Sequence, residues 1–125
     1  MSWLSITPQA IYCAIRHAHE AYRVETFCIT ENGAAYLDSL GPNGEVDDLG
    51  RREYLRNHLI SLHRAIQEGF DVRGYFLWSF LDNYEWADGY AKRFGIVYVD
   101  YKTLKRIPKL SADWYSKVIE SNCVL

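Results

Sequence analysis

The run Val72–Leu81 constrains the fold most, because it is apolar at all but three positions. Such a run is typical of a strand that is buried on both faces of a parallel sheet. The segment Val24–Thr30 is rich in β-branched and aromatic residues, and the turn signal Asn32–Gly33 follows it closely. Residues 49–68 show helical periodicity and supply the crossover that parallel strands need. The sequence therefore predicts a strand–helix–strand unit of an α/β fold.

Two further helices and a short hairpin complete the predicted elements. Thr7-Pro8 is a helix start with Thr7 as N-cap, and Asp47 or Asp48 is the predicted N-cap of the crossover helix. Gly95–Asp100 and Lys105–Pro108 are predicted to pair as the hairpin. The apolar helix positions are Ile11, Ile15, Ala18 and Tyr22 in the first helix, Leu55, Leu59, Leu62 and Ile66 in the second, and Leu110, Trp114 and Val118 in the third. Two parallel strands alone leave edges unpaired, which indicates that further strands belong beside them.

Composition excludes several classes of protein. The chain has 125 residues, the size of one domain, with a net charge of −2 and a pI near 6.1. This balance offers no basic surface for nucleic acid or for an anionic membrane. No run approaches the ~20 apolar residues of a membrane span. The first residues do not resemble a secretory signal, and Cys13 and Cys28 are expected to be buried thiols, so a cytoplasmic location is expected.

Carboxylates and tryptophans cluster where a parallel sheet carries its functional groups. Glu31 ends the first predicted strand, whereas Trp78, Glu85 and Trp86 end or follow the second. Carboxyl ends of neighbouring parallel strands share one edge, so these side chains are expected in one cleft. Carboxylates bind sugar hydroxyls and indoles cover the apolar face of a sugar ring, which favours carbohydrate binding. The alternative interpretation is a solvated turn glutamate beside tryptophans of the core.

Four segments resemble the family 1 glycoside hydrolases, the β-glucosidase family. Ile29–Gly33, with the letters ITENG, is similar to the nucleophile motif of that family, and Gly74–Trp86 is similar to its sugar-binding segment. Arg93–Asp100 resembles the stretch that follows, and Trp3–Pro8 resembles the lead-in to the sixth barrel helix. The segments occur in the family's order and cover nearly the whole chain.

The resemblance implies a partial (β/α)₈ barrel, running from about the sixth helix through the eighth strand and helix. Residues 1–125 would form a single incomplete domain. Glu31 would be the nucleophile of a retaining β-glucosidase, which forms a glycosyl-enzyme with the help of a second carboxylate. Trp78 would stack under the sugar ring, while Glu85 and Trp86 would bind hydroxyls. Phe94 would form a wall of the same pocket.

One part of the family pattern is absent from the sequence. The acid/base glutamate belongs to an Asn-Glu-Pro motif, whereas the three prolines here follow Thr7, Gly41 and Ile107. Asp82, Asp88 and Glu85 are poor substitutes, because loop capping or sugar binding explains them more simply. We therefore expect little activity from the chain alone. The expected partners are a β-glucoside and the N-terminal portion of the barrel, with no metal or cofactor.

Two alternatives to an enzyme portion stay open. A chain that keeps Trp78, Glu85 and Trp86 without the acid/base could be a non-catalytic module that binds carbohydrate weakly. A chain with unpaired strand edges could instead associate with copies of itself. The two His residues at His17 and His19, with the adjacent Glu20, suggest a metal site only weakly, because residues two apart on a helix face different directions.

Overall fold

A computed structural model describes residues 5–125 of the chain. Trp3 and Leu4, which open the first segment of the resemblance, lie outside the described residues. The elements are α1 (Gln9–Tyr22), β1 (Thr26–Asn32), α2 (Leu49–Gln67), β2 (Asp71–Leu77), a short 3₁₀ turn (Trp86–Asp88), β3 (Val97–Val99), β4 (Arg106–Pro108) and α3 (Leu110–Ser121). None of the helices in this part of the chain is both long and apolar enough to span a membrane.

β1 and β2 form a parallel pair that α2 connects, so the predicted strand–helix–strand unit is confirmed. The pairing runs from Thr26 opposite Asp71 to Asn32 opposite Leu77. α1, α2 and α3 lie against one face of this pair, and residues from all three helices contribute to the main core. β3 and β4 form the predicted antiparallel hairpin, with Tyr98 opposite Ile107.

Both strands of the parallel pair have different bounds from those predicted. β1 begins and ends two residues later than the predicted Val24–Thr30, so Glu31 lies inside the strand. β2 stops at Leu77, four residues before the predicted end at Leu81. The chain leaves the ladder there because it pairs elsewhere: the amide of Asp82 donates to the carbonyl of Val97 over 3.0 Å. The peptide bond between Trp78 and Ser79 is cis.

Only one face of the parallel pair is covered. Phe27, Ile29, Val72 and Tyr75 pack against the helices. The opposite face is open among the described residues, and Phe76 on it is 60% exposed. The prediction that Val72–Leu81 is buried on both faces is therefore wrong for this chain, because all three helices lie on the same side.

Several predicted core positions are exposed. Tyr22 and Ile66, the last predicted positions of the α1 and α2 stripes, face solvent, and Tyr12 and Ala65 are buried in addition. The predicted positions Ile15, Leu55, Leu59, Leu62 and Val118 are buried. The expectation of buried thiols is also wrong, since Cys13, Cys28 and Cys123 are all exposed. Cys28 lies on the open face of the sheet. The cytoplasmic location, which rested partly on this expectation, stays a prediction.

The predicted helix caps are only partly present. Thr7 does not cap α1 through its side chain; its carbonyl instead accepts a bond of 3.0 Å from the amide of Ala10. Asp47 Oδ1 accepts a bond of 3.2 Å from the amide of Leu49, the first residue of α2. Asp48 immediately precedes α2, as predicted, but its carboxylate makes no capping bond. It accepts hydrogen bonds from the guanidinium of Arg51 and from Ser111 instead. The carboxylate is therefore used to join α2 to α3.

Candidate active site

The segments that follow β1 and β2 touch directly at the end of the sheet. The backbone amide of Trp78 donates to the carbonyl of Asn32 over 2.9 Å. Gly33 lies so close to the same segment that a Cβ atom there would stand 1.6 Å from the carbonyl oxygen of Trp78. Only glycine fits this approach. Glu31 and Trp78, the predicted nucleophile and sugar platform, are therefore on adjoining stretches of chain.

An irregularity in β1 exposes Glu31. From Thr26 to Ile29 the residues alternate between exposed and half-buried, but the next two residues, Thr30 and Glu31, are both exposed. The pairing with β2 shifts between Ile29 and Asn32, so the irregularity coincides with Glu31. In a regular strand Glu31 would share the face of Ile29, which the helices cover. The shift therefore frees the carboxylate from the covered face.

Asn32, the next residue, has both ends of its side-chain amide occupied. Its Nδ2 donates to the hydroxyl of Tyr54 over 3.0 Å, and its Oδ1 accepts from the hydroxyl of Tyr75 over 2.8 Å. Burial raises the pKa of Tyr54 and of Tyr75, so both phenols are neutral and keep their protons near neutral pH. These bonds join β1 to α2 and to β2.

The loop after β2 presents Trp86 to solvent. The amide of Glu85 donates to the carbonyl of Gly89 over 2.7 Å, which closes a small turn. Trp86 lies at its tip and is 82% exposed, whereas Glu85 is half-buried and Trp78 is 38% exposed. Within residues 5–125 no hydrogen bond or ion pair joins Glu85 or Trp86 to Glu31. The structure joins the segments that carry Glu31 and Trp78, whereas Glu85 and Trp86 lie further along the loop.

Phe94 borders the other side of the Glu31 segment. It is buried, and its carbonyl accepts a bond of 3.3 Å from the amide of Ser79, next to Trp78. Phe94 lines a cavity of about 280 Å³ together with Gly33 and Tyr54. Phe94 therefore bonds to the segment that carries the indole and lines one cavity with Gly33, two residues after the glutamate.

Asp82 is buried in a network of ion pairs, so a sugar cannot reach its carboxylate. Arg93 Nη1 donates to its Oδ2 over 2.5 Å, and Lys109 Nζ donates to its Oδ1 over 2.8 Å. The amide of Gly95 donates to Oδ1 over 3.0 Å. Of the two roles expected for this aspartate, the structure supports the capping of a loop.

The same network reaches the loop after β1. Lys109 Nζ also donates to Asp38 over 2.5 Å, and Arg51 Nη2 donates to Asp38 over 2.7 Å. The full set contains three carboxylates and three cations, namely Asp38, Asp48, Asp82, Arg51, Arg93 and Lys109. Its charges balance, which a buried cluster requires.

Several residues that shape the site could not be recognised as site residues from the sequence. Asp38, Lys109 and Tyr54 are of types that are common on protein surfaces, and nothing in their spacing indicates that they meet. Gly33 was assigned to a turn and not to a close contact. The one available signal was Lys109 directly before the apolar third helix, where a lysine at a helix start is unfavourable unless it is paired.

The titratable groups do not form a metal centre in the part of the chain that the structure describes. No group of three or more His, Cys, Asp or Glu side chains is arranged to hold a metal ion there. His19 Nδ1 lies 2.9 Å from the carbonyl of Val24 at the end of α1, whereas His17 packs edge-on against Tyr22. The two imidazoles therefore make separate contacts.

Comparison with known proteins places these features in a family. The family model described as glycosyl hydrolase family 1 matches residues 1–124. The chain is 52% identical over 122 residues to the 1,4-β-D-glucan glucohydrolase of Thermotoga neapolitana, covering 98% of the chain and 27% of that protein. It is 46% identical over 122 residues to β-glucosidase A of Acetivibrio thermocellus, with the same shares of 98% and 27%. The chain spans about a quarter of the length of these relatives.

Solved structures agree with the sequence comparison. The family 1 β-glucosidase of Thermotoga maritima in complex with isofagomine lactam superposes with a TM-score of 0.94 at 50% identity, covering 97% of this chain and 28% of that one. The complex of the Thermotoga maritima enzyme with castanospermine gives the same TM-score of 0.94 at 50% identity, with shares of 97% and 28%. The chain therefore belongs to glycosyl hydrolase family 1, as the sequence resemblance predicted.

Proposed function

We propose that this chain supplies the nucleophile side of the active site of a retaining β-glucosidase. The observation that supports the proposal is the contact between the backbone at Gly33 and the carbonyl of Trp78, because it joins the segment that carries Glu31 to the segment that carries a partly exposed indole. A carboxylate next to an aromatic platform suits attack on a sugar that lies on that platform. The relatives named β-glucosidase support a β-linked glucoside as the substrate.

In the proposed reaction Glu31 attacks the anomeric carbon. A bond forms between a Glu31 oxygen and that carbon as the bond to the leaving oxygen breaks, and a second carboxylic acid protonates this oxygen. The second group then removes a proton from water, which attacks the anomeric carbon and releases Glu31. Two inversions leave the configuration retained.

The second carboxylate is proposed to come from outside this sequence. No Asn-Glu-Pro motif is present, and Asp82 is held by Arg93 and Lys109 in the buried network. Asp88 lies in the short 3₁₀ turn after Trp86. The match to about a quarter of each relative leaves room for an acid/base on another part of the barrel, which needs about 250 residues in all.

The remaining predicted residues would hold the sugar. Trp78 is proposed to stack under the ring, and Glu85 to accept hydrogen bonds from hydroxyls at the far end of the glycone. Trp86 would donate its indole N–H to another hydroxyl. Phe94 would limit the pocket from the side of Gly33.

The test combines this chain with the preceding part of a relative. The first three quarters of the Thermotoga maritima β-glucosidase would be fused to the chain, and hydrolysis of 4-nitrophenyl β-glucoside would be measured for the fusion and for the chain alone. We expect activity from the fusion and almost none from the chain. Glu31→Gln should lower kcat of the fusion by at least ~10³-fold, since the nucleophile is lost.

A matched control separates chemistry from general damage. Glu45 is an exposed glutamate in the loop between β1 and α2, and only its carbonyl is used, by the amide of Gly41. Glu45→Gln should leave the activity unchanged. Equal activity of the Glu31→Gln fusion and the parent fusion would refute the proposal. Saturable binding of glucose by the chain without any turnover of the fusion would favour the non-catalytic module.

One observation also favours self-association of the chain alone. The parallel sheet has two strands in the described residues, so each strand keeps an unpaired edge, and Phe76 and Phe80 are exposed beside one of them. Unpaired edges next to apolar side chains promote pairing between copies. Concentration-dependent sedimentation of the chain, lost on fusion to the rest of the barrel, is the expected result.

A further inference from the structure

We propose that Tyr54 and Tyr75 are positioning residues, which set the orientation of Glu31 through the side chain of Asn32. This inference rests on the proposed role of Glu31 as nucleophile. Neither tyrosine was singled out as a site residue by the sequence. Their hydroxyls approach opposite ends of one amide, at 3.0 Å and 2.8 Å, directly beside the peptide of Glu31.

The two bonds hold the side-chain amide of Asn32 between α2 and β2. Its Nδ2 donates to Tyr54, and its Oδ1 accepts from Tyr75. A tyrosine hydroxyl can donate or accept, so the pair grips the amide at both ends whichever way round its nitrogen and oxygen lie. The position of the Asn32 side chain is therefore set by two elements, and its backbone is constrained with it.

The tyrosines are themselves fixed by their surroundings. Tyr54 lies in α2, where the ring of His58 stacks on it at 4.0 Å between centroids. His58 Nδ1 lies 2.7 Å from the carbonyl of Tyr54, which anchors the imidazole to the same turn of helix. Tyr75 lies in β2 and packs against the main core. Asn32 is thus tied to a helix and to a neighbouring strand.

Side-chain bonds matter at this point because the strand pairing is irregular. The register with β2 shifts between Ile29 and Asn32, so the ladder does not hold Glu31 as it holds a residue in a regular strand. A nucleophile needs its position defined to within about 0.5 Å, which takes supporting hydrogen bonds. The tyrosine bonds to the Asn32 side chain, together with the Trp78 amide on the Asn32 carbonyl, hold the residue next to Glu31.

The first experiment compares hydroxyl deletions in the active fusion described above. Tyr54→Phe and Tyr75→Phe should each lower kcat by about 10-fold with KM changed less than 2-fold, because the sugar contacts stay in place. Tyr115→Phe is the matched control: Tyr115 packs on the same core, and its hydroxyl makes no hydrogen bond within the described chain. Losses equal to that of Tyr115→Phe would overturn the proposal.

The second experiment asks whether the tyrosines act through Glu31. In a Glu31→Gly fusion, azide can attack the anomeric carbon of 2,4-dinitrophenyl β-glucoside. A C–N bond forms while the C–O bond breaks, and its electron pair leaves with the phenolate, so no proton is needed. Adding Tyr54→Phe should change this rescued rate less than 2-fold, because azide is not positioned by Asn32. A loss as large as in the parent fusion would show a general structural role and overturn the proposal.

The third experiment uses the chain by itself and does not depend on activity. In ¹H–¹⁵N NMR spectra, Tyr54→Phe and Tyr75→Phe should each shift the side-chain amide of Asn32 and the backbone amides of Glu31 and Gly33. Tyr115→Phe should leave these signals in place. Unchanged signals in the first two variants overturn the inference. Shifted signals with no azide rescue in any Glu31→Gly fusion would instead support the positioning contacts and refute the proposed nucleophile.

Discussion

Gly33 shows how a single missing side chain sets the geometry at the end of the sheet. The loop after β1 crosses the carbonyl of Trp78 at a distance that leaves no space for a Cβ atom. The letters Asn-Gly indicate a turn in any sequence. They do not indicate what the turn touches, because that depends on where the next strand ends.

Gly33→Ala is expected to lower the free energy of unfolding by at least about 2 kcal/mol, because the new methyl group meets backbone and not a movable side chain. Urea unfolding of the chain measures the change. Gly41→Ala is the control, since a Cβ atom there meets its nearest neighbour, the carbonyl of Glu45, at 3.4 Å. It should cost no more than about 0.5 kcal/mol. Equal losses in the two variants would contradict the contact.

His58 makes the fold sensitive to acid. Burial lowers its pKa below the ordinary value of 6.5. The unfolded chain therefore binds more protons than the folded chain as the pH falls through 6.5, and stability falls with it. The stability is fully present above the unfolded pKa and declines from there towards the lower pKa of the folded state.

Thermal melts between pH 7.5 and 5.5 test this sign. The Tm of the parent chain should fall over this interval of pH. The Tm of the His58→Gln variant should fall less, because the titrating group is gone. His63→Gln on the same helix is the control, since His63 is exposed. A Tm of the parent that rises as the pH falls would contradict the burial of a neutral imidazole.

At the scale of elements, Lys109 joins two loops and a helix. Its ammonium group lies between Asp38, in the loop after β1, and Asp82, in the loop after β2, at the start of α3. Replacement of a buried ion-pair partner leaves a charge without compensation. This loss typically costs about 3–5 kcal/mol.

We therefore expect Lys109→Met to lower the free energy of unfolding by about 3–5 kcal/mol, as measured in urea. Lys117→Met is the control, because Lys117 is an exposed lysine of α3 and should change stability by less than about 0.5 kcal/mol. Asp38→Asn in the Lys109→Met background should recover part of the loss, because it restores the balance of charge in the network, with two carboxylates facing two cations. The absence of any recovery would argue against the pairing.

The elements were predictable where a repeating pattern covers many residues. The apolar run before Trp78 and the stripe of α2 define a strand, a crossover helix and their parallel order. The ends of the strands could not be predicted, because they depend on pairing with distant residues. β2 stops at Leu77, and from Ser79 onwards the chain pairs with Phe94 and Ile96 instead. The ion network was missed for the same reason, since its six members are spread along the sequence from Asp38 to Lys109.

The candidate site divides in the same way. Glu31 and Trp78 were predicted to share one end of the sheet, and their segments do meet there. That inference needed only the direction of two strands. The bonds of Tyr54 and Tyr75 to Asn32 could not be predicted, because a tyrosine in an amphipathic helix or a buried strand is ordinarily interpreted as a residue of the hydrophobic core.

At the scale of the whole molecule, the covered and open faces of the sheet differ sharply. The helices bury one side, whereas Phe76 on the other is mostly exposed among the described residues. An exposed aromatic ring on a sheet with unpaired edges favours association between copies.

Phe76→Lys should weaken this association in the isolated chain, because a charge on the open face disfavours contact between sheets. Sedimentation velocity over a range of concentrations measures it. Leu37→Lys is the control, as Leu37 is exposed but lies in a loop away from the sheet. If both substitutions reduce association equally, net charge and not the open face explains the effect.

The close approach of Gly33 to Trp78 also bears on how a protein with the proposed function would diversify. In such a protein the attacking carboxylate and the platform under the sugar would be joined through the backbone contacts of Asn32 and Gly33 with Trp78. Adaptation to a bulkier glycone by displacement of the Trp78 segment would shift the glutamate as well, so selectivity and reactivity would have to evolve together. Substitutions further along the loop, around Trp86, would not move the Trp78 segment, so they would change the substrate without displacing the glutamate.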